Sequence, residues 1–151
     1  MNYWLIKSEG DCYSIDDFKR DKRTAWEGIR NYQARNFMIR DMKVGDLLLF
    51  YHSIVEPGVY GLAKVVSKAH PDVSQFNKKD EHFEPKATKI KPLWYCVDVA
   101  FVKKFKHPVL LEAIKKDPKL DGMMVRAKGS RLSVQPVSEK HFKHILEMAM
   151  G

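Results

Sequence analysis

Cysteine is scarce in this chain: 151 residues carry two, Cys12 and Cys96, with no CxxC spacing and no matching histidine cluster. That excludes a disulfide framework and a zinc-finger-type structural site, and both residues read as buried free thiols in a reducing compartment. There is no apolar run near the roughly 20 residues that a membrane span requires. The chain opens on the strand-like YWLIK instead of a secretory leader. The expectation is a soluble intracellular, cytoplasmic protein, a single domain over residues 1–151 with its own core and no need of staples. Catalytic signatures are missing as well. No HxE is paired with a PCxxC, and there is neither a GxSxG elbow nor a glycine-rich phosphate loop. With no metal set, cofactor motif or evident activated nucleophile, the reading is a non-enzyme without cofactor or metal.

Positive charge is what the chain does have. Lys and Arg number 27 against 19 Asp and Glu, a net charge of +8 with a pI near 9.4. Such a balance favours an anionic partner, nucleic acid being the commonest for a small basic domain, the alternative being a surface kept basic for solubility. The lysine groups at 78–79, 103–106 and 115–119 read as solvated faces with at most nonspecific affinity. Asp11, Asp16 and Asp17 suit capping of a helix start better than a metal site.

Strand and helix signals alternate without a linker. Tyr3–Lys7 reads as a strand. Ser14 stands three before Asp17 at capping-box spacing, which predicts a short helix from Ile15. Asn31–Arg40 reads as a helix with Tyr32, Arg35 and Ile39 on one face and Met38 on its flank. A turn at Lys43–Asp46 leads into the buried strand LLLFY, and Glu56-Pro57-Gly58 turns it into VYGLAKVV, a hairpin. His70–Pro92 is a long polar loop of the kind that is usually mobile or functional. Leu93–Phe105 returns as a strand, Pro108–Lys116 as a short amphipathic helix. Ser138 caps a last helix that packs through Phe142, Ile145, Leu146 and Ala149. Helices inserted between strands, with hairpin pairing, predict an α+β fold built on a small mixed β-barrel with a C-terminal helix.

Two segments hold the chemistry. WEGIRNYQARN, Trp26–Asn36, and GDLLLFYHS, Gly45–Ser53, bring together a stacking face (Trp26 or Tyr32) and edge hydrogen-bonding groups (Asn31, Tyr51, His52 and Ser53), the inventory for holding a flat polar ring. Arg30, Arg35 and Arg40 flank them and suit phosphate. Arg131, Ser133 and Gln135 alternate along RLSVQP and share one face of an extended segment, for backbone contact or as a polar surface strand. Bland roles stand beside these: Trp26 as core, Asn31 as a helix cap, His52 as a hydrogen-bonded structural histidine, Ser53 as a hairpin cap.

YWLIKSE, WEGIRNYQARN, GDLLLFYHS, GVYGLAKVV and GSRLSVQPV, in this order and spacing, resemble the EVE domain family over nearly the whole chain, Tyr3 to about Leu146. The resemblance implies a PUA-like fold related to YTH domains, and a reader of modified bases: modified cytosine in DNA for EVE domains, methylated adenine in RNA for YTH domains. It also implies that Lys7, Ser8 and Trp26 line the pocket, because the YTH pattern has a KS step after the first strand and a Trp after the first helix. The chain departs from the family pattern at Gly10, where proline is usual, and at Leu93, where arginine is common. The expected partner is therefore nucleic acid, modified DNA favoured and RNA possible, bound by a monomer away from membranes.

Overall fold

The computed structural model describes residues 1–10, 12–129 and 131–150. Asp11, one of the three acids read as a capping cluster, and Ser130 of the GSRLSVQPV block lie outside them. In chain order the elements are β1 (Tyr3–Ser8), α1 (Ile15–Asp21), β2 (Arg23–Ala25), α2 (Tyr32–Asn36), β3 (Leu47–His52), β4 (Gly58–Val65), β5 (His70–Pro71), β6 (Tyr95–Cys96), β7 (Asp98–Leu110), α3 (Leu111–Lys116), β8 (Val134–Val137) and α4 (Glu139–Met150). Six strands form one curled sheet in the order β2-β7-β4-β3-β1-β8, and β5 pairs with β6 alone. The fold is α+β, as expected.

The interior pair β1 and β3 is parallel, from Tyr3 opposite Leu47 to Ser8 opposite His52, and the remaining pairings in this sheet are antiparallel. Both faces of the sheet are covered. Trp4, Ile6, Leu48 and Phe50 point into one core with Phe18, Trp26 and Met38, while Leu5, Leu49 and Tyr51 point into another with Ile114, Phe142 and Ile145. That is why LLLFYH reads as an unbroken apolar run: a strand buried on both sides has no polar face to alternate with.

Local rules explain the helices. Ser14 and Asp17 close a reciprocal capping box on α1, which satisfies two otherwise orphaned N–H groups. Ser138 Oγ accepts from His141 N at the start of α4. Asp46, buried in the expected turn, accepts from Asn2 N, Lys43 N and Trp4 Nε1, tying the N-terminus to the entry of β3.

Four expectations shift. The helix expected over Asn31–Arg40 is a short α2 followed by a π-turn, Phe37–Asp41, closed by Met42 N donating to Phe37 O. Met38, expected on the flank, is in the core with Ala34, while Tyr32 and Ile39 of the expected shared face are exposed. The segment after Leu93 breaks at Val97 into β6 and β7, and β7 then runs through Pro108 to Leu110. The helix expected from Pro108 begins only at Leu111, because β4 still pairs there: Val59 lies opposite Val109 and Gly58 opposite Leu110. The long 70–92 segment is an ordered strap. Buried Gln75 accepts from Leu93 N and Trp94 N and donates to Asp72 O and Trp94 O, cross-linking its two ends.

Candidate functional site

The parallel strands β1 and β3 end side by side, and there Ser8 O accepts from both Ser53 N, at 2.9 Å, and Ser53 Oγ, at 3.3 Å. Beside that junction opens a cleft of about 470 Å³, lined among others by Lys7, Ser8, Tyr13, Trp26, Glu27 and His82. Trp26 is only 8% exposed and meets Phe50 and Tyr13 edge to face, with centroids 5.7 and 6.2 Å away. It is therefore core and cleft wall together. Ser8 Oγ donates to Tyr13 O at 2.6 Å and so pins the loop carrying Tyr13 at the rim.

The far wall comes from the strap. Asp72 has no exposed surface; its carboxylate accepts from Gly28 N at 2.8 Å, from Arg30 Nη1 at 3.1 Å and from Ser74 N and Oγ. Burial raises the pKa of this carboxyl, but the bonds from Ser74, Gly28 and Arg30 outweigh it and hold the group below the usual carboxylate range. Gly28, at φ +86, lets the His82 ring approach: a Cβ there would sit 3.0 Å from that ring in a conformation L-residues avoid. Glu27, between these walls, has its pKa raised, first by burial and then by the Asp72 charge.

Other residues anticipated for the site have different occupations. Arg30 lines the cleft but is committed to the protein: besides Asp72 it donates to Ile29 O, His82 O and Ser74 Oγ, and it lies over Trp94 at 5.5 Å. Arg35 donates to Leu93 O and Asn36 Oδ1 and stacks 4.8 Å from the Tyr32 ring. Arg30 clasps the Trp26 segment to the strap and Arg35 ties α2 to Leu93, in place of the free phosphate-facing cations expected. Asn31 is the N-cap of α2, its side chain accepting from Ala34 N. Tyr32, 57% exposed, leans on Trp94 at 4.9 Å, outside the Trp26 cleft. His52 is buried, accepts from Ile15 N through Nε2 and stacks on Tyr60 at 3.9 Å, the structural role. Gln135 is buried and donates to Leu132 O, so it does not share an exposed face with Arg131 and Ser133; β8 begins only at Val134, and its first two residues, Val134 and Gln135, are both buried.

Lys7, Ser133, Tyr51, Ser53 and Arg131 meet around a second cleft of about 500 Å³ that adjoins the first, Lys7, Glu9 and Ser133 lining both. Sequence reasoning missed Tyr13, His82 and Asp72. The Asp72-Val73-Ser74 step, an Asx-turn signal, was the only local hint of a buried carboxylate. Cys96, His70 and Asp98 form a relay that looks nucleophilic, with Sγ 3.7 Å from Nδ1 and Nε2 2.8 Å from Asp98 Oδ1. Burial pushes the Cys96 thiol up to about 12, so it carries no thiolate at neutral pH. Among the described residues, no helix is long and apolar enough to cross a membrane.

Fold and cleft together define a small α+β binding module, with a curled sheet, one parallel strand pair and an aromatic-walled cleft where that pair ends. The chain belongs to the EVE domain family, whose model matches residues 2–148. It is 42% identical over 166 aligned positions to thymocyte nuclear protein 1 of Mus musculus, covering 97% of this chain and 73% of that protein. A hypothetical protein from Leishmania major superposes with a TM-score of 0.94 at 47% identity, over 99% of this chain and 95% of that one. The human THYN1 protein, solved in complex with 5-methylcytosine-containing DNA, superposes at 0.92 with 37% identity, over 100% of this chain and 99% of that one.

Proposed function

We propose that this protein is a non-catalytic reader of a modified base, 5-methylcytosine in DNA being favoured, which it takes in extruded form into the Trp26 cleft. One observation carries the reading: the likeness, over the whole chain, to a protein whose solved structure holds 5-methylcytosine DNA. The geometry supports it chemically. A cleft of about 470 Å³ is the size of a small-ligand site. Stacking on an aromatic contributes about 1–3 kcal/mol, comparable with the few kcal/mol that flipping costs, so selectivity falls to groups at the base's edge. Lys7 donates and Glu27 accepts, matching a cytosine's carbonyl and exocyclic amine.

The test is a fluorescence titration with matched DNA and RNA oligonucleotides, with and without 5-methylcytosine. Tighter binding of methylated DNA supports the reading; equal binding of all four, or preference for RNA, overturns it. Mass spectrometry of the recovered nucleosides checks the non-catalytic part, with and without divalent metal. Turnover would direct attention to Glu9 and Glu27 as general bases.

A further inference from the structure

The second cleft is the more basic of the two. Among the described residues, Lys7, Lys115, Lys128 and Arg131 line it against a single carboxylate, Glu9, and Tyr51 and Ser53 complete the polar lining with Ser133. Its walls are braced from behind. Arg126 donates to Lys115 O, Asp117 O and Asp121 Oδ1, clamping the last turn of α3 to the 3-10 turn, Met124–Arg126, that leads into Lys128. Neighbouring cations are neutralised at short range: Lys116 by Glu112 and Arg126 by Asp121. Lys115, Lys128 and Arg131 have no such carboxylate among the described residues. Three converging cations, Lys115, Lys128 and Arg131, with no ion-paired carboxylate among the described residues, suit a tetrahedral oxyanion. Tyr51 is held as a neutral donor, its hydroxyl pushed up to about 12 by burial.

We infer that this cleft seats a phosphodiester group of the nucleic acid strand whose modified base enters the Trp26 cleft next to it. The inference rests on the proposed reading for its partner, and on the shared wall for its geometry. Lys7, Glu9 and Ser133 line both clefts, so a nucleotide with its base in one has its sugar-phosphate directed over Lys7 toward the other. Lys7 also lies 5.9 Å from the Tyr51 ring, and burial lowers its pKa; an incoming phosphate restores preference for the charged ammonium. Base and backbone are thus read on opposite sides of the end of β1, which fixes which neighbouring phosphate is gripped.

The variants Lys115→Gln, Lys128→Gln and Arg131→Gln, singly and combined, test this by titration of methylated and unmethylated DNA across a salt series. Lys140→Gln on α4 controls for net charge, and thermal melts confirm folding. The combined variant is expected to weaken both DNAs by the same factor and leave their ratio as in the wild type. Its salt slope should fall by about one unit for each phosphate that is no longer neutralised. Unchanged affinity and slope, a weakening no larger than that of Lys140→Gln, or one confined to methylated DNA overturns the phosphate seat. Failure of the base reading shows separately, as a wild-type ratio of one between the two DNAs.

Discussion

The carboxylate of Asp72 and the guanidinium of Arg30 lie 3.1 Å apart, the carboxylate fully enclosed, and this pair fastens the strap to the segment that carries Trp26. Removing the enclosed carboxylate strips Gly28 N, Ser74 and the partly exposed Arg30 of their shared acceptor, and breaking a buried pair costs up to about 3–5 kcal/mol. Asp72→Ala is therefore expected to lose stability of that order in urea unfolding and to lose DNA binding with it. A loss below ~1 kcal/mol would mean that the strap holds without this anchor.

Arg30→Gln separates structure from backbone contact. Because the Arg30 guanidinium is already engaged by Asp72, Ser74 and His82, its replacement is expected to lower the melting temperature yet leave the salt slope of DNA binding as in the wild type. A slope reduced by about one unit would restore it as a phosphate contact.

Trp26 belongs to the core as well as the cleft, so truncation reports both. Trp26→Ala is expected to cost about 3–5 kcal/mol of stability. Trp26→Leu keeps apolar volume and discards the π-face. It is expected to stay folded and weaken methylated DNA by about 1–3 kcal/mol, with a smaller effect on unmethylated DNA. Equal weakening of both DNAs would take Trp26 out of base recognition.

Glu27 makes the cleft responsive to pH. Its folded pKa is raised, by burial and then by Asp72, so the folded chain binds this proton more tightly than the unfolded chain. The contribution to stability is full below the ordinary value of 4.5 and is lost as pH rises through the folded value. Glu27→Gln should then melt higher than the wild type at neutral pH, the difference closing below 4.5. A variant that melts lower at neutral pH would contradict the charge repulsion assigned to this pair.

His52 has the opposite sign. Burial lowers its pKa, Asp16 opposing weakly, and its Nε2 must stay unprotonated to accept from Ile15 N. The unfolded chain thus binds the proton first, so stability present above the ordinary value of 6.5 falls as pH drops from there toward the folded value. His52→Gln should flatten the melting curve across that window; an unchanged acid profile would place the sensitivity elsewhere.

The sheet strands and the capped helices were legible because their causes are local: the Ser14/Asp17 spacing, the two-sided apolar run ending at Tyr51, the Ser138 cap. The end of β3 beside the Trp26 segment was legible only through the family pattern. What stayed hidden depends on long-range partners. Nothing near Arg30 announces that its guanidinium is taken by a carboxylate 42 residues away. Nor does the Tyr32–Ile39 spacing reveal the π-turn or a buried Met38. The alternation of Arg131, Ser133 and Gln135 failed because β8 enters the sheet at Val134 and buries Gln135 along with it.

Beside the Arg30 clasp, the strap is anchored through main-chain atoms: Asp72 grips Gly28 N, and Gln75 grips the backbone of Asp72, Leu93 and Trp94. Anchors of that kind do not read the residues between them. The stretch bearing Glu81 and His82 is consequently an exchangeable cassette, a place where the chemistry of the cleft wall can be rewritten while the sheet, both cores and Trp26 stay as they are.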